Sequence, residues 1–284
     1  MTDQRTGLVL GGGGITGIAW EIGVLAGLAD AGLDLSTADL VVGTSAGSVV
    51  GAQVTCGAGL PFLYERQLEP PAQELVARMT RAGLARYGWA LLRSRGREED
   101  FRRRIGALAL AAERAGLTPS EQERLDVIGS RLVSLDWPAR PLVVTAVDAD
   151  TGEFHAFDRD SGVPLLQAVA ASCAVPGVYP PVTVDGRRYV DGGMRSAANT
   201  DLAAGSDRVV VLAPIPRGIG PMTSVGRHVA GLGDARVAVV SPDAASRAAI
   251  GRNVLDPAAR APSARAGRAQ AAAVLRAVAE AWTA

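Results

Sequence analysis

Three short segments of this sequence combine residue types that could carry out chemistry. They are the glycine-rich run GGGGITG at residues 11–17, the pentapeptide GTSAG at residues 43–47 and the tripeptide DGG at residues 191–193. A serine hydroxyl can act as a nucleophile, a carboxylate as its base, and glycine N–H groups as donors to a developing negative charge. The three segments therefore indicate a site for nucleophilic catalysis.

GTSAG has the form of a nucleophile elbow, in which a serine lies on a sharp turn between a strand and a helix. Gly43 and Gly47 flank Ser45 and allow the chain to pass close to itself, so that the serine adopts a strained, exposed conformation. The helix that begins after Ser45 directs its positive end at the hydroxyl and favours negative charge there. Ser45 is therefore the expected nucleophile.

The same stretch also has features of a membrane helix. Residues 40–62 contain no charged side chain, and Gly43, Gly47 and Gly51 form two GxxxG spacings. However, polar side chains and further glycines interrupt the stretch, and no basic segment flanks it. A buried strand, turn and helix therefore fits these residues better than a membrane-spanning segment.

The glycine-rich run lies between a predicted strand and a predicted helix, where consecutive glycines aim backbone N–H groups into a cleft. Gly12, Gly14 and Gly17 also match the dinucleotide fingerprint GxGxxG. A dinucleotide site needs an acidic residue at the end of the second strand, but Asp34 and Asp39 both precede that strand. We therefore expect no nucleotide cofactor.

Two kinds of base are compatible with the sequence. Asp191 ends a predicted strand and is followed by Gly192 and Gly193, although Asp-Gly is also frequent in ordinary turns. A triad of Ser45, Asp191 and His228 would have the chain order of an α/β-hydrolase, but that fold has several strands before its nucleophile. A Ser–Asp dyad needs no histidine, because a carboxylate whose pKa is raised in a dry pocket can act directly as the base.

The remaining histidine and the two cysteines are expected to be structural. His155 alternates with Phe154 and Phe157 on a predicted strand, which is typical of a partly buried surface residue. Cys56 and Cys173 lie in apolar runs, as reduced, buried thiols of a cytoplasmic protein would. No histidine or cysteine has the spacing of a metal ligand, so we expect no metal site.

Composition favours an α/β protein without a nucleic-acid partner. Of the 284 residues, 48% are hydrophobic and 4% are aromatic, which suits parallel strands of Val and Leu covered by Ala-rich helices. The 29 basic and 29 acidic residues balance, so no overall field attracts nucleic acid. The N-terminal residues MTDQRTGLVL lack the pattern of a secretory signal.

The three segments need a sheet to position them. Apolar strands are predicted at residues 6–10 and 40–44, and each is followed by a helix. Two hairpins, RPLVVTAVD with FHAFD and then VTVDGRRYVDGG, and two further apolar strands come later in the chain. This pattern predicts a single α/β domain over residues 1–284, built as a three-layer sandwich around a mostly parallel central sheet.

Between the second strand and the first hairpin, residues 61–135 have a helical and polar pattern and form a predicted insertion. Breaks are expected at Pro70-Pro71 and at GLTPSEQE, where Thr118 and Glu121 have the spacing of a capping box. The Ala/Arg-rich tail, residues 257–284, is predicted to be a packing helix rather than a membrane anchor, because its apolar side is mainly Ala.

In this order and spacing the three segments resemble the patatin-like phospholipase family. The matching residues are GGGITGI at 12–18, GTSAG at 43–47, DGG at 191–193 and ASCAVPGVYPPV at 171–182, which resembles the family's segment before its catalytic Asp. The resemblance covers roughly residues 8–193, with weaker similarity in the strands beyond. The family usually has Arg or Lys where this sequence has Thr16.

The resemblance implies a serine acyl hydrolase that cleaves fatty-acyl esters of lipids and needs no cofactor. Ser45 would be the nucleophile and Asp191 the general base. The N–H groups around Gly12, Gly13 and Gly14 would form the oxyanion hole, with Gly17, Gly43, Gly47, Gly192 and Gly193 as supporting motif residues. A catalytically silent lipid-binding protein of the same family remains the alternative.

The insertion contains nine arginines and three acidic residues between positions 78 and 104. Such a run can be a solvated helix face with internal ion pairs. It can also be a lid whose basic face touches anionic headgroups, with Trp89, Leu91 and Leu92 entering the interface. In that case Arg102–Arg104 would support transient docking at a membrane surface.

Overall fold

A mixed β-sheet organises the computed structural model, which describes residues 4–70, 77, 79–218 and 220–283. Within these ranges the strands are β1 (Thr6–Leu10), β2 (Leu40–Gly43), β3 (Leu142–Asp148), β4 (Phe154–Phe157), β5 (Val182–Val184), β6 (Arg187–Asp191), β7 (Arg208–Leu212) and β8 (Arg236–Val240). Neighbours in the series β5–β6–β3–β2–β1–β7–β8 are hydrogen-bonded to each other, and β4 pairs with β3. The five strands from β3 to β8 in this order are parallel, whereas β4 and β6 run antiparallel to β3. The predicted mostly parallel sheet and both predicted hairpins are confirmed.

Helices cover both faces of this sheet. In chain order they are α1 (Gly14–Asp30), α2 (Ala46–Thr55), α3 (Leu60–Leu68), α4 (Arg81–Ser94), α5 (Glu98–Arg114), α6 (Glu121–Arg131), α7 (Leu165–Ser172), α8 (Val225–Ala230), α9 (Ala244–Ile250) and α10 (Arg260–Trp282). Short 3-10 turns follow at Leu35–Thr37, Gly192–Met194, Thr200–Ala203 and Pro257–Ala259.

Alternate residues of each central strand face opposite layers. Leu8 and Leu10 of β1 belong to the larger core, which contains buried residues of α1, α2, α7 and α10. Val9 points the other way, into a smaller core with Ala203 and Val225 of α8. Because successive side chains of a strand alternate between its faces, a strand buried on both sides must be apolar throughout. The predicted three-layer arrangement is therefore confirmed.

The C-terminal helix α10 packs directly on α1. A methyl group added to Gly23 would lie 2.2 Å from the backbone oxygen of Ala264, and one added to Gly267 would lie 2.4 Å from that of Trp20. The indole Nε1 of Trp20 donates a buried hydrogen bond of 3.1 Å to Gln270. Small residues therefore bring the backbones of α1 and α10 together, and α10 lies within the Ala/Arg-rich tail.

The predicted insertion contains α3 to α6, and among its described residues there is no strand. Helix α5 buries Phe101 and Ile105 completely or nearly so, and a methyl group on Gly106 would lie 2.0 Å from the Ala149 oxygen after β3. This helix is therefore an integral part of the layer beside β3. The predicted break at Pro70-Pro71 follows the end of α3, although Pro71 lies outside the described residues.

The predicted start of α6 at Thr118 is wrong by two residues. Ser120 is the N-cap, because its hydroxyl accepts from the Glu123 N–H and Glu123 accepts from the Ser120 N–H in return. Glu121 is engaged elsewhere, since its carboxylate accepts from the N–H and hydroxyl of Thr183 on β5 at 2.6 and 2.9 Å. A long-range contact thus selects between two overlapping capping patterns.

Candidate active site

Strands β2 and β6 pair with the same edge of β3 and run towards each other, so that their C-terminal ends meet. β2 runs parallel to the first half of β3, up to the pair Gly43–Val144, and β6 runs antiparallel to the second half, up to the pair Asp191–Ala146. β4 pairs with the same residues of β3 from the opposite edge. The C-terminal ends of β2 and β6 therefore meet, so that the segments GTSAG and DGG face each other.

Ser45 lies at the sharp turn between β2 and α2. Its backbone has φ 52° and ψ −115°, a region in which a residue other than glycine is strained. A methyl group on Gly43 would lie 2.6 Å from the Gly47 oxygen, and one on Gly47 would lie 2.0 Å from the Leu10 oxygen. Glycine is therefore required at both positions for the turn to close, as the elbow pattern predicts.

The expectation that Ser45 is exposed is wrong, because only 8% of the residue is accessible to solvent. Three neighbouring segments surround it. A methyl group on Gly12 would lie 3.5 Å from the Ser45 Cβ, the Ser45 N–H donates to the hydroxyl of Ser172 at 2.9 Å, and the DGG segment supplies Asp191. The hydroxyl is therefore enclosed by polar groups rather than presented on an open turn.

The Asp191 carboxylate lies within range of the Ser45 hydroxyl, whose hydrogen-bonding influence lowers the pKa of Asp191. Asp191 is 3% exposed, and its Oδ1 also accepts the Gly193 N–H at 2.8 Å. Burial raises the pKa of Asp191 to about 6, while the hydrogen bonds from Ser45 and Gly193 and the charge of Arg124 lower it by less. Such a carboxylate is mostly ionised at neutral pH and is more basic than an ordinary Asp, which are the properties of a general base.

The glycine-rich run supplies backbone donors beside Ser45. The Gly12 N–H donates to the Ala197 oxygen at 2.7 Å, so it is already satisfied and the expectation that it serves an oxyanion needs correction. Among the described residues, no oxygen accepts the N–H of Gly13 or Gly14. Because α1 begins at Gly14, its first N–H groups have no partner within the helix. Gly13 and Gly14 are therefore the candidate oxyanion donors.

The other motif glycines lie where these segments touch. A methyl group on Gly192 would approach the Thr145 hydroxyl to 2.3 Å, and one on Gly193 would approach Asp191 Oδ1 to 2.8 Å. A methyl group on Gly17 would lie 3.3 Å from the Ala46 Cβ at the start of α2. Small residues at these positions allow the three motifs to converge at one point.

Thr16 connects the glycine-rich run to the backbone of Val254. Its side chain is fully buried, and its hydroxyl lies 3.2 Å from the Val254 oxygen and 3.3 Å from the Gly13 oxygen. The Thr16 N–H also donates to the Val254 oxygen at 3.2 Å. The Thr16 hydroxyl thus bonds the backbone of the loop. This position therefore places no positive charge beside the site, as the Arg or Lys usual in the family would.

Several residues of this site are not identified by the sequence motifs. Ser172 and Cys173, at the end of α7, contact the backbone of Ser45, since the Cys173 thiol donates to the Ser45 oxygen at 3.2 Å. Both residues belong to the segment ASCAVPGVYPPV. The family resemblance of this segment indicated that it lies near the site, but it did not indicate the contacts with Ser45. Both cysteines are free thiols, with Cys173 buried and Cys56 half-buried.

Two side chains of the insertion take part in the electrostatics around Asp191. Tyr87 of α4 donates its hydroxyl to the Pro176 oxygen at 3.1 Å, and burial followed by the negative charge of Asp191 raises its pKa. The guanidinium of Arg124, on α6, stacks 3.6 Å above the ring of Tyr179 and lowers the pKa of Asp191. The insertion therefore contributes to the electrostatics of the site.

Neither histidine contacts the Ser45–Asp191 pair. His228 lies beside Asp201, with 3.0 Å between Nδ1 and Oδ1, rather than beside Asp191. His155 is on β4, across β3 from Asp191, and its ring packs edge-on against Tyr189 at 5.1 Å. With 23% of its side chain exposed, His155 is the partly buried surface residue that the alternation predicts. The geometry thus favours a dyad over a triad.

Asp34 and Asp39 have local structural roles. Asp34 caps the turn Leu35–Thr37, and Asp39 accepts from the N–H and hydroxyl of Thr6, where β1 begins. They therefore lie at the opposite end of the strands from the glycine-rich run. Within the described residues, no cluster of His, Cys, Asp and Glu could hold a metal ion. None of the described helices is long and apolar enough to span a membrane.

Comparison with known proteins gives the chain a family. The family model of patatin-like phospholipases matches residues 8–204. An uncharacterised NTE family protein of Mycobacterium tuberculosis is 28% identical over 193 residues, which are 68% of this chain and 44% of that protein. Lysophospholipase NTE1 of Coccidioides immitis is 30% identical over 193 residues, 67% of this chain and 10% of that protein.

The chain spans less than half of the length of these curated relatives. Among solved structures, VipD from Legionella pneumophila aligns with a TM-score of 0.48 and 13% identity, over 96% of this chain and 67% of that chain. The family match contains the glycine-rich run, GTSAG and DGG, and it continues past Asp191. The chain therefore belongs to the patatin-like phospholipase family.

Proposed function

We propose that this protein is a serine acyl hydrolase that cleaves fatty-acyl esters of lipids, with Ser45 as nucleophile and Asp191 as general base. The observation that carries the proposal is the meeting of the strained, buried Ser45 and the buried Asp191 carboxylate where β2 and β6 end. Family membership and the lysophospholipase relatives support a lipid ester as the substrate.

In the first half-reaction the Asp191 carboxylate accepts the proton of Ser45 while Oγ attacks the ester carbonyl carbon. The Gly13 and Gly14 N–H groups donate to the oxygen that becomes negative, and each such donor typically contributes about 3 kcal/mol. The tetrahedral intermediate then collapses. The alcohol leaves with the proton from Asp191, and the acyl group remains on Ser45.

In the second half-reaction water takes the place of the alcohol. Asp191 accepts a proton from the water while the water oxygen attacks the acyl-enzyme carbonyl carbon. Collapse of the second intermediate returns the proton to Ser45 Oγ and releases the fatty acid. The cycle consumes one water, produces one alcohol and one acid, and needs no metal or cofactor.

We also propose that the protein touches lipid surfaces transiently through the outer face of α4. Leu84, Trp89 and Leu92 on this face are 59%, 54% and 76% exposed, and the exposed Arg86 and Arg93 lie beside them. An apolar strip flanked by arginines suits the interface of an anionic membrane. On the inner face of the same helix the Tyr87 hydroxyl bonds the Pro176 oxygen and lies 3.9 Å from the sulfur of Met194, the residue after DGG, so the docking face and the site share one element.

The sequence-based expectation that Arg102–Arg104 serve docking needs correction for Arg102, whereas 55% of the Arg103 side chain is exposed. Only 14% of the Arg102 side chain is exposed, and its Nε donates to the Gly152 oxygen at 2.7 Å. Arg103 pairs with Asp100 at 2.8 Å, and Arg104 lies over the Trp89 ring at 5.9 Å. Residues three and four apart share a helix face, so the three consecutive arginines necessarily point in different directions.

The test of the catalytic proposal is labelling with a fluorophosphonate, followed by peptide mass mapping. The wild type should carry the adduct on Ser45, and Ser45→Ala and Asp191→Asn should abolish or strongly slow the reaction. His155→Ala and His228→Ala are the matched controls and should label at the wild-type rate. Loss of labelling in His228→Ala would restore the triad. No labelling of the wild type, with or without liposomes, would indicate a catalytically silent lipid-binding protein.

A further inference from the structure

Asn199 is buried between the two strand ends that carry Ser45 and Asp191. It has no accessible surface, and its backbone has φ 49° and ψ 44°, the left-handed conformation that Asn tolerates better than most residues. No sequence motif marks it. It begins the 3-10 turn Thr200–Ala203, after the chain has left the DGG segment.

The side-chain amide of Asn199 bridges three segments. Its Nδ2 lies within hydrogen-bonding distance of Thr44 Oγ1 at 3.0 Å, Ser196 O at 3.0 Å, Thr145 Oγ1 at 3.3 Å and Gly192 O at 3.3 Å. Thr44 directly precedes Ser45, and Gly192 directly follows Asp191. The amide therefore contacts the neighbour of the proposed nucleophile and the neighbour of the proposed base at the same time.

The orientation of this amide is set by Arg195. Its guanidinium donates to Asn199 Oδ1 at 2.9 Å, so the oxygen faces Arg195 and the NH2 group faces the strand ends. Arg195 is itself held by Asp201, at 3.0 and 2.5 Å, and stacks 4.2 Å above the ring of Phe154. The Asn199 oxygen and the Asn199 NH2 group are both engaged. A flipped amide would therefore lose the contact with Arg195 and the contacts with the strand ends.

We propose that Asn199 is a positioning residue for acyl transfer, which holds the Ser45 turn and the DGG segment at a separation over which Asp191 can accept the Ser45 proton. This role rests on the proposed function. β2 and β6 end at this point and share no ladder hydrogen bonds with each other, so they are joined only through their pairing with β3 and through side chains such as that of Asn199. A small displacement of reacting groups is costly, since misplacement by 1 Å can lower a rate by about 10²-fold.

Asn199→Gly is the informative variant, because glycine adopts the same backbone conformation and removes only the side chain. Thr44→Val removes a hydroxyl that accepts from both the Asn199 amide and the Thr145 hydroxyl, and leaves Asn199 intact. Gln270→Ala is the matched control, because Gln270 is another buried amide, bonded to Trp20 and Ser246 away from the site. Each protein is assayed for hydrolysis of a water-soluble short-chain ester, for the rate of fluorophosphonate labelling and for Tm.

We expect kcat and the labelling rate to fall roughly 10- to 100-fold in Asn199→Gly and in Thr44→Val, with KM unchanged. The double variant should lose less than the sum of the two single losses, since both act through the same contact. Gln270→Ala should lower Tm without changing kcat. If Asn199→Gly does not fold, the kcat and labelling rate of Thr44→Val test the positioning role.

Two results would overturn this role, and they can be told apart. A wild type that hydrolyses the ester, with both variants showing wild-type kcat per labelled site and only a lowered Tm, would make Asn199 merely structural and leave the proposed function intact. A wild type that neither hydrolyses the ester nor labels would overturn the proposed function, and the positioning role with it.

Discussion

The Ser45 hydroxyl and the Asp191 carboxylate meet across the gap where β2 and β6 end. The carboxylate accepts a hydrogen bond from the Gly193 N–H of its own motif, at 2.8 Å. The base is thus oriented by backbone, whereas a triad would use a histidine and a further carboxylate. Burial opposes ionisation of Asp191, and hydrogen bonding from Ser45 and Gly193 favours it, which leaves its pKa at about 6.

The pH dependence of kcat/KM should have an acid limb that belongs to Asp191. The ionised carboxylate is the active form, so kcat/KM should be constant above the pKa of about 6 and fall as the pH drops below it. The loss should approach about tenfold per pH unit with a soluble ester. His228→Ala should leave this limb in place, and a limb that moves or vanishes in that variant would assign it to the histidine.

Asp191→Asn should raise stability while it abolishes activity. The pKa of Asp191 rises on folding from 3.8 to about 6, so the folded state holds its proton more tightly, and wild-type stability falls as the pH rises through this window. Asn removes this penalty, which predicts a gain of about 1–3 kcal/mol at pH 8 and little gain at pH 4. Thermal unfolding of the wild type and the variant at both pH values measures this gain in stability. A variant that is no more stable than the wild type at pH 8 would contradict the raised pKa.

Gly13→Ala should reduce catalysis by displacing the candidate oxyanion donors. The new methyl group would lie 2.5 Å from the Pro214 Cβ and 2.9 Å from the Gly17 Cα, so the loop must move. We expect kcat to fall by about 10²-fold and stability by about 1–3 kcal/mol. Active-site titration with the fluorophosphonate separates slow turnover from unfolded protein.

Gly226→Ala in α8 is the matched control for this change. A methyl group there meets no atom within 4 Å, and the residue lies inside a helix. It should leave kcat unchanged and raise stability slightly, by up to about 1 kcal/mol. Full kcat in folded Gly13→Ala would remove the glycine-rich run from the proposed oxyanion hole.

Removal of the apolar strip on α4 should weaken binding to anionic vesicles. In the variant Trp89→Ser with Leu92→Ser, each lost side chain removes about 1.5–3 kcal/mol of potential burial, so vesicle partitioning should fall at least about tenfold. Sedimentation with phosphatidylglycerol vesicles measures it. Hydrolysis of a soluble ester should be unchanged, because both side chains point away from the site.

Leu117→Ser is the control for the α4 strip, since Leu117 is 63% exposed and lies outside α4. It should bind vesicles like the wild type. Phosphatidylcholine vesicles test the role of Arg86 and Arg93, because a neutral surface lacks the charge that these arginines would meet. Unchanged sedimentation of the α4 variant, or an equal loss in Leu117→Ser, would exclude this face as the docking surface.

The elements of the fold and the principal residues of the site could be predicted from short stretches of sequence. β1 with α1 and β2 with α2 follow from apolar runs that end in glycine-rich turns, and local backbone sterics decide such turns. The strained turn at Ser45 follows from Gly43 and Gly47 for the same reason. The family resemblance then linked Ser45 to Asp191, which no local pattern does.

Only the tertiary structure decided how these groups are partnered. The Gly12 N–H is taken by Ala197, His228 lies beside Asp201, and Asn199 bridges Thr44 and Gly192. Each of these contacts joins residues from separate segments of the chain, and hydrogen bonds depend on distance and direction in space. Sequence alone therefore determined which chemical groups this protein carries and which turns hold them, while packing of the sheet and its helices determined which groups are free to react.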